Sequence, residues 1–216
     1  MKILNFRISI RLESLFFPID GRDLIEAVRK IGYQVAQTAS PPEARGRVGF
    51  TGQFAQKGSI KLDTNFDRGV LGVAADTPDL AIRAFDELVT FIRNEFRIDL
   101  EKESRFHEII AEIKFDSDEN PLKSVAHIFE RNPFVSKVGK ILKQDVTLFT
   151  LRFVTKDKVP NQEEWLDVTI EPDLVIPQQK YAISVVFRSK DKSVVKSFGE
   201  NLKSNIVEII ESIESS

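Results

Sequence analysis

The chain contains no cysteine, which removes disulfides, zinc–thiolate sites, iron–sulfur clusters and cysteine nucleophiles from consideration. Methionine and tryptophan occur once each, and histidine only twice. Ten glycines and nine prolines in 216 residues are too few for a low-complexity chain. No apolar run approaches the roughly 20 residues that span a bilayer. Neither sign of charge dominates: 31 basic side chains face 33 acidic ones, a balance that argues against a generally basic nucleic-acid coat. The opening MKILNFRISIRLES alternates polar and apolar residues, the pattern of a strand rather than of a signal peptide. The remaining class is a globular protein, expected to be cytoplasmic and to carry no cofactor or metal. Scarce methionine with abundant Lys, Arg and Glu is a bias shared with intracellular proteins of thermophiles.

What is present repeats. Cut near residue 102, the two halves carry the same order of elements. The first opens on a strand with Phe6, Ile8, Ile10 and Leu12 on one face and Arg7, Ser9 and Arg11 on the other. The second opens on Ile109, Ala111, Ile113 and Phe115, separated by Ile110, Glu112 and Lys114. A short helix follows each. Asp20 caps the first, which carries Leu24, Val28 and Ile31 and stops at Gly32. Asn120 and Pro121 start the second, with Leu122, Val125, Ala126 and Phe129 as its stripe and Asn132-Pro133 as its end.

Strands are then expected at 47–54, 59–66 and 69–75, and again at 145–154, 164–172 and 180–187. A further short strand is expected at 33–38, with a counterpart at 137–143. Thr77-Pro78 begins a closing helix with Ala81, Phe85, Leu88 and Ile92 inward. Its counterpart runs from Asp191 as one helix with Val195, Phe198, Leu202, Ile206, Ile209 and Ile213 inward. The fold class expected is therefore α+β: tandem β-α-β-α units, residues 1–100 and 101–216, sharing one curved antiparallel sheet. That sheet would have about eight to ten strands with helices on one face. Two separate domains joined by residues 97–105 are the competing arrangement.

This order resembles the TATA-box-binding protein family, a tandem repeat whose curved sheet forms a saddle. Lys2-Ile3-Leu4-Asn5 is similar to that family's first-strand pattern, in which the asparagine reaches DNA. The resemblance implies such a role for Asn5. The equivalent strand of the second half, from Arg105 to Ile110, lacks the asparagine, and Lys57-Gly58-Ser59 stands where the family has a Ser-Gly-Lys turn. Phe50, Phe54 and Phe66 share the parity of the buried positions, so no intercalating phenylalanine is assigned.

Alternation places Asn5, Arg7, Ser9, Arg11, Arg47, Thr51, Gln53, Lys61, Asp63 and Asn65 on the uncovered face of the first half. Arg7, Arg11, Arg47 and Lys61 are candidate phosphate contacts, with Asn5, Thr51, Gln53 and Asn65 as hydrogen-bonding groups between them. The same face of the second half carries Glu108, Ile110, Glu112, Lys114, Asp167, Thr169 and Glu171 and reads as mostly acidic. A basic half and an acidic half suit self-association or a protein partner. Nucleic acid on the basic half is the alternative. A small-molecule or hydrolytic site between the halves is the third, with Glu108, Glu112, Asp167 and Glu171 as its carboxylates.

Other motifs carry less. The glycines of residues 45–52 match neither phosphate-binding fingerprint, and no helix follows them. Asp116, Asp118 and Asn120 imitate the start of a calcium loop, but Pro121 replaces the required glycine and His127 the final glutamate. His127 and Glu130, three apart on a helix, read as a surface ion pair. Trp165 is expected at the rim of the core.

Overall fold

The computed structural model describes residues 1–14, 17–35, 48–130 and 132–215. Among the described residues nine strands form one antiparallel sheet: β1 Lys2–Leu12, β2 Gln34–Val35, β3 Thr51–Lys57, β4 Ile60–Asn65, β5 Val70–Ala75, β6 Ser104–Asp116, β7 Leu151–Val154, β8 Trp165–Pro172 and β9 Lys180–Ser189. Their spatial order is β2-β3-β4-β5-β1-β6-β9-β8-β7. The two opening strands meet at the centre, where Phe6 pairs with Ala111 and Ile8 with Ile109. The same described residues form six α-helices: α1 Gly21–Lys30, α2 Pro78–Phe96, α3 Pro121–Glu130, α4 Pro133–Leu142, α5 Lys192–Glu200 and α6 Leu202–Glu214.

The period-two pattern decides which sheet face is covered. Phe6, Ile8, Ile10, Ile109, Ala111, Leu71, Val73, Ile183 and Val185 are all buried and belong to one core. Phe85, Leu88 and Ile92 of α2 and Val195 and Ile206 of α5 and α6 complete that core. Gly199 of α5 faces Phe6, Ile82 and Ile109 so closely that an added Cβ would stand 3.0–3.2 Å from their side chains. The missing side chain lets α5 settle onto the central pair of strands and against α2.

Local chemistry starts the helices. The Asp20 carboxylate accepts from Arg22 N and also from Val48 N at 2.9 Å, tying residue 48 to the start of α1. Thr77 caps α2, and Asp191 caps α5 by accepting from Ser193 N at 2.7 Å.

Four expectations need correction. The segment 137–143 lies in helix α4 and its C-terminal end, not in a strand. Asn132-Pro133 repeats the start signal of Asn120-Pro121, with Asn132 Oδ1 accepting from Phe134 N at 2.9 Å, so the pair opens a new helix. The strand expected at 145–154 shrinks to β7, since only residues 151–154 of that stretch pair in register with β8. The strand expected from residue 47 starts at Thr51, because residues 48 and 50 bond α1 and the turn at 66 instead. The closing helix is broken at Asn201, whose side-chain amide donates to Ser197 O at 2.8 Å. The short strand expected at 33–38 is present as β2, and residues 36–38 lie outside the described residues. Gly32, at φ +87, turns the chain from α1 into it.

Candidate functional site

The uncovered face is built by the alternate positions of β3, β4, β5, β1, β6, β9, β8 and β7, in that spatial order. Arg7 lies at its centre. Its Nε donates to both Asp63 oxygens at 3.0 and 2.8 Å, and Nη1 donates to Ser9 Oγ at 2.8 Å. The guanidinium reaches Asp63 across β5 because Gly72 stands between them: a Cβ there would lie 2.5 Å from Nη2. The arginine thus roofs Ser9, which is only 2% exposed.

On the other side Arg7 Nη1 stands 4.0 Å from Glu108, and Glu108 also accepts from Arg188 Nε on β9. Arg188 lies over the ring of Phe106 at 5.2 Å and donates to Pro160 O. The connection between β7 and β8 therefore meets this end of the face at Pro160, beside the buried Trp165, which pairs in register with Arg188. Further along, Arg152 grips Asp167 with two bonds of 2.9 and 2.7 Å. That arginine first, and the Trp165 side chain last, hold the Asp167 carboxyl below its usual range against the opposing effect of burial. Lys114 pairs with Asp173 at 2.7 Å. This ammonium and the amides of Val175 and Ile176 lower the Asp173 pKa to about 2.

Of the residues nominated from the sequence, Arg7 and Glu108 come together through this chain of charges. Asn5 sits opposite Glu112 on β6, just past a register shift between Ile3 and Asn5. Thr51, Gln53, Lys61 and Asn65 lie on the face as expected, though Gln53 donates to Gln56 and Asn65 accepts from Arg68 N. Glu171 accepts from Thr150 at 3.0 Å. Arg47 lies outside the described residues, as do residues 45 and 46 of the glycine-spaced segment. Arg11 and Lys61 have no ion-pair partner among the described residues. Burial, then Arg105 and Arg68, lower the pKa of Arg11, which places three cations near one end of the face.

The second half is not the acidic surface that Glu108, Glu112, Asp167 and Glu171 alone suggested. Sequence reasoning missed Arg152 and Arg188, which neutralise two of these four. Arg188 continues the alternation of Ala182, Ser184 and Val186, but the strand was expected to end at 187. Arg152 lay inside an expected strand whose register on β8 has no signature in the sequence.

Away from the sheet face, His127 Nδ1 and Glu130 form an exposed pair at 2.8 Å. Among the described residues no helix is long and apolar enough to cross a membrane. No known protein family and no curated protein matches the chain.

Proposed function

We propose that the chain is a non-catalytic binding protein whose uncovered sheet face receives a protein partner or a second copy of the chain. One observation carries this reading: three arginines of the face, from its centre to its β7 edge, are each spent on a carboxylate, Arg7 on Asp63, Arg188 on Glu108 and Arg152 on Asp167. A phosphate backbone needs cations free to displace counterions along a track. A face that alternates paired charges with Asn5, Thr51, Gln53 and Thr169 offers instead the mixed signs and hydrogen-bonding groups that suit another polypeptide.

The same proposal takes residues 1–100 and 101–216 as two copies of one β-α-β-α unit. The mirror-like strand order on either side of β1 and β6 supports it. So does the gapless match of Ala81–Glu87 with Val194–Glu200. Pairing β1 with β6 hides two edges that would otherwise recruit other chains.

A second reading keeps nucleic acid, at the Arg11 end only. Arg11, without an ion-pair partner among the described residues and beside Arg68 and Arg105, favours an anion there. Size-exclusion chromatography with light scattering at low and high salt, with and without a mixed DNA and RNA pool, separates the two readings. The expected result is no shift with oligonucleotides, and a low-salt assembly weakened by Lys61→Glu or Glu112→Lys. A salt-sensitive oligonucleotide complex lost in Arg11→Ala with Arg68→Ala would establish the second reading instead.

A further inference from the structure

Helix α4 has no buried residue. Phe134 is 68% exposed, Ile141 69% and Leu142 58%, although an isolated ten-residue helix gains little from water contact with such side chains. Phe134, Val138 and Ile141 fall at i, i+4 and i+7, one stripe of the helix. The helix's other side is fixed to its own chain. Gly139 lies so close to Gln144 O that a Cβ would approach to 2.9 Å, and Val135 and Gly139 line a hollow with Val146 and Leu148. Phe134 and Ile141, at the two ends of the outer stripe, therefore point away from their own chain's core, with Val138 half-buried between them.

Beside α4, on the helical side of the sheet, the second half leaves an apolar groove of about 700 Å³ unfilled. Phe129 of α3, Phe153 of β7, Leu166 of β8, Phe198 of α5 and Ile209 of α6 line it. Phe129 also lines the hollow under α4, so groove and helix adjoin. Glu208 stands at the rim of the groove and Lys137 and Lys140 flank the α4 stripe. None of these three side chains has an ion-pair partner among the described residues.

We propose that this groove receives α4 of a second copy of the chain, and that the exchange is reciprocal, giving a two-fold dimer. An amphipathic helix presenting anchors at i, i+4 and i+7 is the standard occupant of an apolar groove. One chain supplies both parts, and in its own fold α4 turns back onto Gln144 and Val146 rather than into the groove. A second copy can bring the two parts together. Reciprocity then seats two helices for one association, as an isologous interface requires. The acidic rim and the lysines flanking the stripe fix the direction in which the helix lies.

The experiment is sedimentation velocity on the full chain from low to about 100 µM concentration, a range that reveals micromolar association. The wild-type chain dimerises, and the dimer survives high salt because its contact is apolar. Ile141→Glu and Ile209→Glu each weaken the dimer at least about 30-fold, a loss of the size expected when an apolar anchor becomes charged. Mixing the two variants restores a heterodimer, since one intact helix then meets one intact groove. Because Ile209→Glu disturbs a partly buried position, Glu208→Lys serves as an exposed second variant, expected to weaken the dimer and to be rescued by Lys137→Glu with Lys140→Glu. The inference stands apart from the sheet-face reading: Lys61→Glu and Glu112→Lys lie across the sheet and leave this dimer intact. A chain that stays monomeric across the range, or a dimer indifferent to Ile141→Glu, overturns the proposal. A monomer that binds an apolar dye in the groove would assign the groove to a small apolar ligand instead.

Discussion

His107 is 2% exposed, packed edge-on to Phe85 with ring centroids 6.2 Å apart. Burial first, and then the Lys192 ammonium, push its pKa from 6.5 down to about 4, against the opposing pull of Glu101 and Asp191. The unfolded chain therefore takes up a proton below about 6.5 that the folded chain refuses until about 4. This contribution is fully present above pH 6.5 and is lost as the pH falls toward 4. The loss amounts to about 3 kcal/mol. Asp20 and Asp173, both held at about 2, give up their stabilisation only in the more acidic window below 3.8. Urea midpoints across pH should thus fall in two stages, and His107→Leu should remove the first. An unchanged slope between pH 6.5 and 4 in that variant would assign the effect elsewhere. The residue pattern showed which way His107 faces, because it shares the parity of Ile109 and Ala111. It held no sign of Lys192, which arrives from 85 residues later in the chain.

At the scale of elements, the helices show what local signals can and cannot tell. Every strong start signal is used: Asp20, Thr77, Asn132 and Asp191 each accept a backbone N–H at a helix N-terminus. Asn132-Pro133 ends α3 as expected, and the same pair also opens α4, a second role that the strand expected at 137–143 left no room for. The break at Asn201 was hidden because the apolar spacing runs through it without a change of phase. Helix α4 owes little to its own core, so its stability rests on its cap and on whatever covers its outer stripe. In the monomeric variant Ile141→Glu, the further change Asn132→Ala should cost α4 about 1 kcal/mol. Hydrogen exchange should register this as faster exchange of the α4 amides, with those of β1 and β6 unaffected. Equal acceleration in the central strands would mean that α4 is part of the cooperative core after all.

The whole molecule is organised around the β1–β6 pair. Composition and alternation sufficed for the α+β class, one antiparallel sheet and helices on one side. Strand order needed more, because the pairing of β1 with β6 joins segments about a hundred residues apart without a turn between them. The same distance hides the candidate site: Glu108 and Arg188 face each other across the β6–β9 ladder about 80 residues apart in the chain, and Arg7 reaches Asp63 diagonally across Gly72 of β5. Gly199 marks how tightly the halves meet, since it touches β1, α2 and β6 at once. Gly199→Val should force α5 off the central strands and cost about 1–3 kcal/mol. Thermal unfolding of that variant is expected to remain a single transition at lower temperature. Two separated transitions would show that the halves fold independently.

Trp165 gives this architecture an optical consequence. It is the chain's sole indole, 5% exposed, beside Asp167 and Arg188 at the covered end of the sheet face. Its fluorescence therefore issues from one known place, in a largely dry setting that shifts emission to the blue. Loosening of the connection over Arg188 admits water to the ring, so emission colour reads the state of that end of the sheet without any attached dye.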